Sequence, residues 1–149
     1  MSRRPVRRAE LAGPVDSVAP GLLHTLLVVG ERTARIVEVE AYGGPDDAAS
    51  HCHRGPTPRN LTMFGPPGHL YVYRSYGIHW CANVTAGHDG VGGGVLLRGA
   101  AILDGEAAAM ARRQRGDVGV VKRNLARGPG NLGQALGIDL GDYGRDLFD

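Results

Sequence analysis

The run Ile36-Val37-Glu38-Val39-Glu40-Ala41-Tyr42 spaces two carboxylates and a phenol two residues apart. In an extended strand that spacing puts all three on one face. A carboxylate held beside a flat ring can take a proton from water and stabilise a cation developing nearby. Rings are concentrated in the same region: Tyr42, Phe64, Tyr71, Tyr73, Tyr76 and Trp80 are six of the eight aromatic residues in the chain. His51, His53, Arg54, Arg59 and Asn83 lie among them. Scattered aromatics usually just pack a core. Flat π-faces with histidines, an acid and arginines instead suit a planar, electron-deficient heterocycle held beside a base that activates water. Spacing alone does not choose between Glu38 and Glu40 as that base.

The elements that must position these residues follow from periodicity and punctuation. A basic, mobile arm is expected at residues 1–17, with one domain over residues 18–149. Val18–Leu23 reads as a short helix and Thr25–Val29 as a buried strand. After a turn at Gly30-Glu31-Arg32, Ala34–Ala41 reads as a strand. Strict alternation places Val37, Val39 and Ala41 on one face and Ile36, Glu38, Glu40 and Tyr42 on the other. Gly43-Gly44-Pro45 ends that strand, and Asp46–His51 is expected to make one helical turn. Residues 52–69 form a Gly- and Pro-rich loop, long enough to be functional. Strands His69–Ser75 and Ile78–Thr85 then flank Tyr76-Gly77, with Tyr71 and Tyr73 on one face. Trp80 and Phe64 are read as core. Gly87–Gly94 is a loop, Val95–Arg98 a strand, and the Ala-rich stretch Ala101–Arg113 a helix. Asn131–Leu136 is a short helix ended by Gly137.

Composition narrows the class. A chain of 149 residues with 42% hydrophobic and 21% charged residues has the size and balance of one globular domain. No apolar run approaches the ~20 residues of a membrane span. The Arg-rich start lacks the apolar core of a secretory signal, so a cytoplasmic location is expected. Cys52 and Cys81 are too few for a disulfide framework. Net charge is only +2, yet sixteen of the seventeen Lys and Arg residues are Arg, with Lys122 the exception. Arg forks onto phosphates and stacks on rings, although a GC-rich genome accounts for much of the bias. On ligand type alone, His51, Cys52, His53 and Cys81 suit zinc, but they lack paired Cys-x-x-Cys spacing.

The same residues carry a resemblance. Arg35–Gly44, Ala49-Ser50-His51, Thr57-Pro58-Arg59-Asn60, Met63-Phe64 and Pro67–Gly77 occur in that order. Cys81-Ala82-Asn83-Val84, Val95–Arg98 and Arg127-Gly128-Pro129-Gly130 follow them. Together they resemble the alkyladenine (3-methyladenine) DNA glycosylase family of bacterial type, over nearly all of residues 18–140. The resemblance implies a single mixed α/β (α+β) domain, with a curved, largely antiparallel sheet flanked by short helices. It also implies a monofunctional base-excision enzyme acting without a cofactor, as a monomer, on double-stranded DNA that contains damaged purines. Its location would be the bacterial cytoplasm, at the nucleoid.

Roles carry over residue by residue as expectations. Glu40 matches the general base that activates water for attack on C1′, with Glu38 as its neighbour, and Arg98 matches a residue near that water. Tyr42, His51 and Tyr73 match the rings that sandwich the extruded base. Asn83 matches a pocket residue that would crowd the amino group of normal guanine. Tyr76, which on pattern alone equally packs beneath its hairpin, matches an intercalating wedge. Arg54, Arg59 and Arg74 are the candidates for contact with the DNA backbone, and no metal site is expected. No lysine lies near Glu40, which argues against a Schiff-base step. Family members continue past Asp149 with a segment that supports the catalytic water. A lesion-binding protein of weak or absent activity is therefore the alternative.

Overall fold

Leu26–Val29 (β1) and Arg32–Tyr42 (β2) open a six-stranded sheet. It continues with Leu70–Ser75 (β3), His79–Thr85 (β4), Gly94–Asp104 (β5) and the two-residue Ala126–Arg127 (β6). The computed structural model describes residues 3–114 and 116–149. Every pairing between these strands is antiparallel, in the order β1-β2-β5-β4-β3, with β6 on β5. Three short helices flank the sheet: Val15–Leu22 (α1), Glu106–Arg113 (α2) and Pro129–Leu136 (α3). This is the α+β architecture that the resemblance implies.

One face of the sheet makes the main core. Ala34, Ile36, Leu70, Val72, Ala82, Val84, Val95 and Leu97 are buried there with Leu22 of α1 and Leu132 and Leu136 of α3. The approach of α3 to β4 depends on missing side chains. A Cβ on Gly133 would lie 2.0 Å from the Trp80 carbonyl oxygen, and one on Gly130 would lie 2.6 Å from His79. Gly137 in the left-handed conformation (φ 67°) ends the helix as the sequence suggests, while Pro129 starts it two residues before the expected Asn131. Arg32 and Arg112 donate to the carbonyls of Leu136 and Ala135, placing cations at its C-terminal end.

The structure departs from the sequence reading in several places. Strict alternation along β2 fails, because two of the three irregularities in the β2–β5 ladder fall between Ile36 and Val39. Ile36 pairs with Ala100 and Glu38 with Gly99, which leaves Val37 without a counterpart. Val39 then pairs with Leu97, which leaves Arg98 without one. An extra residue on each strand first shifts the register and then restores it. Ile36 therefore faces the helices while Val37 is 47% exposed. Val39 and Ala41 still pack on the core.

The strand expected at Val95–Arg98 runs on to Asp104, and the helix expected from Ala101 begins only at Glu106. Pairing of Ala101 and Ile102 with Arg35 and Ala34 overrides the helical preference of an Ala-rich run. Asp46–His51 makes no helical turn. Asp47, Ser50 and His53 instead donate backbone bonds three residues back in linked turns. The 52–69 loop contains a 3-10 turn at Leu61–Phe64. The arm expected over residues 1–17 is tied down within its described part. Leu11 is buried in the core, α1 starts at Val15, and Arg8 pairs with Asp146 at 2.7 Å.

Candidate functional site

The face of the sheet opposite the helices carries the chemistry. Register aligns one residue from each of four strands in a row: Glu40 beside Leu96, Leu96 beside Asn83, and Asn83 beside Tyr71. Directly paired residues of an antiparallel sheet point to the same side. Tyr42 lies one step along β2 from this row, and Tyr73 lies one step along β3. A linear segment with two-residue spacing thus becomes a surface four strands wide.

Glu40 is held at both oxygens. Arg98 donates Nη1 to Oε2 at 2.7 Å, and the Tyr42 hydroxyl donates to Oε1 at 2.7 Å. A carboxylate has about four acceptor positions, so roughly two remain for other donors. The Glu40 side chain is 44% exposed, so water reaches those positions. Arg98 also donates Nε to Glu38 at 3.0 Å, bridging the two acids. These bonds, with the Glu38 contact foremost, raise the Arg98 pKa above its usual value. Arg98 reaches both carboxylates from β5, the strand beside them. Burial, followed by the bond to Glu40, pushes the Tyr42 hydroxyl up to about 12, so it remains a donor at neutral pH.

Across the row, Tyr73 and His51 make a wall. Their ring centres are 4.7 Å apart at an interplanar angle of 68°. The loop after Tyr42 returns His51 to this place. Asp47 accepts from the backbone N–H of Gly43 at 2.8 Å and of Ala49 at 3.0 Å, which shapes that return. Burial raises the Tyr73 pKa. Burial first, then the nearby Arg59 charge, lowers that of His51. Asn83 is buried on the same face and donates to the Tyr71 carbonyl at 3.3 Å.

Tyr71 belongs to the site although its sequence reading went no further than a face shared with Tyr73. Its hydroxyl lies 2.8 Å from His51 Nδ1, and its ring sits 5.8 Å from Tyr73 and 6.0 Å from Tyr143. Cys52 and Met63 complete the small buried cluster beneath it. The only signal for Tyr71 in the sequence was its two-residue spacing from Tyr73.

Tyr76 stands apart from these groups. It sits at the tip of the β3–β4 hairpin with φ 50°, followed by Gly77 at φ 64°. Ile78 N–H closes the turn on the Ser75 carbonyl at 3.0 Å. Positive φ at both central residues is the signature of a type I′ hairpin turn. The ring is 95% exposed, so it does not pack beneath the hairpin.

The candidate arginines divide. Arg54 and Arg59 border a cleft beside His51. Arg74 points to the other side, over the Trp80 ring at 5.7 Å, and Trp80 itself packs on the main core. The four zinc-type residues do not assemble. Cys52 is buried against Met63, His53 Nδ1 meets the Pro45 carbonyl at 2.7 Å, and Cys81 lies by Tyr73. Among the described residues no group of three or more His, Cys, Asp or Glu gathers as a metal site. Nor is any helix among them long and apolar enough to cross a membrane.

The family model described as methylpurine-DNA glycosylase matches residues 9–149. A Rhodococcus jostii protein named "Putative 3-methyladenine DNA glycosylase" is 54% identical, covering 97% of this chain and 65% of the relative. Proteins of the same name from Mycolicibacterium fortuitum and Corynebacterium glutamicum are 62% and 50% identical. They cover 78% and 91% of this chain, and 61% and 70% of their own lengths. The chain thus spans less than two thirds of the first two curated relatives.

Proposed function

This chain belongs to the methylpurine-DNA glycosylase family, and from that premise we propose that it excises alkylated or deaminated purines from duplex DNA in base-excision repair. The observation that carries the proposal is the pinned Glu40 carboxylate, on the same sheet face as the Tyr73–His51 wall.

A purine inside a duplex is out of reach of such a site, so the nucleotide must leave the stack at a cost of a few kcal/mol. Tyr76, 95% exposed at the hairpin tip, would enter the gap. Tyr42, His51 and Tyr73 would stack on the extruded base, each stacking contact contributing about 1–3 kcal/mol. Asn83 would exclude the amino group of undamaged guanine by occupying its place.

In the reaction the bond between C1′ and the purine nitrogen breaks, and its electron pair leaves with the base. Water bound at an open acceptor position of Glu40 attacks C1′ from the other side and gives its proton to the carboxylate. Glu40 also stabilises the oxocarbenium-like sugar between these events. Arg98 holds the carboxylate in register, and Arg54 and Arg59 would meet phosphates. The substrate in this reading is the DNA of the bacterial nucleoid, and one copy of the chain suffices.

Single-turnover release from duplexes carrying hypoxanthine or 3-methyladenine tests the proposal. Glu40→Gln keeps the shape and removes the base, so release should slow by about 10²–10⁴-fold while lesion binding persists. Unchanged release would remove Glu40 from this role. Binding without release by the unaltered chain would make it a lesion-binding protein instead.

A further inference from the structure

Two of the eight aromatic residues lie outside the 42–80 segment, and one of them, Tyr143, returns to it. A tight turn carries it there. Asp139 accepts from the Gly141 N–H at 2.8 Å, and the Tyr143 N–H donates to the Leu140 carbonyl at 3.1 Å. Past that turn the chain fastens to the edge of β3. Gly144 N–H donates to the Leu70 carbonyl at 2.8 Å, and Leu70 N–H donates to the Arg145 carbonyl at 2.9 Å. The Tyr143 ring is thereby set edge-on to Tyr71, at 6.0 Å and 74°.

From that anchorage the Tyr143 hydroxyl reaches the loop that supports His51. It donates to the Arg59 carbonyl at 2.8 Å and accepts from the Thr62 N–H at 3.4 Å. Both partners are backbone groups, so donor and acceptor are fixed, and a phenol fills both roles at once. The two bonds bracket Asn60, which is 3% exposed. Asn60 accepts from the Thr57 N–H at 2.6 Å and donates to the carbonyls of His51 and Gly55 at 2.8 and 3.2 Å. The Tyr143 hydroxyl, Asn60 and the His51 backbone thus form one connected path. At its end the His51 ring packs on Tyr73, with centres 4.7 Å apart.

We propose that Tyr143 is a positioning residue of the base pocket: its hydroxyl fastens residues 59–62 to the edge of β3, and through Asn60 it holds His51 against Tyr73. The consequence for damaged bases rests on the glycosylase reading; the fastening itself does not. Without the hydroxyl, the Arg59 carbonyl and the Thr62 N–H would turn to water, and the loop would lose its tie to the strand that carries Tyr71 and Tyr73. A wall that is in place for only part of the time binds an extruded base in proportion to that fraction. Lesion recognition should therefore weaken more than contact with undamaged DNA.

Amide hydrogen exchange and proton NMR of the free full chain test the fastening without DNA and without activity. Tyr143→Phe keeps the ring and removes the hydroxyl. Loss of one ordinary hydrogen bond should speed exchange roughly 3–10-fold, at Thr62 and also at Thr57 and Met63, whose N–H groups bond to Asn60. The His51 ring protons, shifted by the Tyr73 ring, should move toward free-histidine values. Ile102→Val thins the main core on the other face of the sheet. It controls for a general loss of stability and should leave the His51 shifts in place. Faster exchange confined to Thr62, or unmoved His51 shifts in Tyr143→Phe, overturns the proposal. A second measurement addresses recognition. Affinity for a hypoxanthine duplex relative to an undamaged one should drop roughly 3–10-fold in Tyr143→Phe and stay constant in Ile102→Val. An unchanged ratio in a variant whose loop has loosened overturns the consequence for recognition. A ratio of one in the unaltered chain overturns the glycosylase reading instead, and the exchange pattern still decides the role of Tyr143.

Discussion

Tyr76 is the residue at which folding and the proposed function pull in opposite directions. Its ring is 95% exposed, so truncation uncovers almost no apolar surface, and the loss at about 25 cal/mol per Å² is negligible. Its backbone, at φ 50°, lies in the left-handed region that costs an L-residue roughly 1–2 kcal/mol. Tyr76→Ala should therefore leave the melting temperature nearly unchanged, and Tyr76→Gly should leave it equal or higher. Stacking between bases is worth about 1–3 kcal/mol, so either variant should bind a lesion duplex roughly 5–150-fold more weakly. Fluorescence anisotropy on a hypoxanthine duplex and its undamaged counterpart, paired with thermal denaturation of the same preparations, reads both effects. Undiminished lesion affinity would refute the wedge. A stability loss above about 2 kcal/mol would refute the view that the ring is free, because losses of that size require packing or a broken network.

Glu38→Gln should leave the Arg98–Glu40 bond in place but remove one unit of negative charge. At the scale of about 1 kcal/mol for a charge a few ångströms away through water-like surroundings, single-turnover release should slow roughly fivefold; an unchanged rate would make Glu38 purely structural. Gly133→Ala, which in an exposed helix would stabilise, should here cost at least about 1–3 kcal/mol through overpacking, because the new Cβ meets the Trp80 carbonyl. An unchanged melting temperature would mean that α3 can shift freely. Affinity for duplex DNA should fall with salt, and Arg54→Ala should reduce the slope of log K against log salt by about 1 if Arg54 meets a phosphate; an identical slope would place it off the DNA.

Local signals served well where local chemistry decides the outcome. Gly137 ends its helix because glycine readily takes the left-handed conformation, and the Tyr76-Gly77 pair marks a tight hairpin. Two-residue spacing brings Glu40 and Tyr42 together because no bulge falls between them. It fails one turn of the strand earlier, since neither Val37 nor Arg98 announces that it lacks a partner. The arginine that bridges Glu38 and Glu40 joins residues 60 and 58 positions apart, a distance no periodicity spans. Ala101–Asp104 shows the same limit, because pairing with β2 outweighs an alanine-rich preference. Spacing left Glu38 and Glu40 equal as bases, and family resemblance separated them. Tyr71 needed the return of the 43–51 loop before its hydroxyl had anything to meet.

Charge explains why these pieces belong together. Glu38 and Glu40 share one guanidinium, so with both acids ionised this corner of the site carries a net charge of minus one. Full neutralisation by a second cation would hold Glu40 as firmly but would weaken its attraction for a sugar cation. With Arg98 absent, two acids on adjacent same-face positions would repel each other. In the glycosylase reading, a single arginine between two carboxylates holds Glu40 in place while leaving negative charge to meet an oxocarbenium-like sugar.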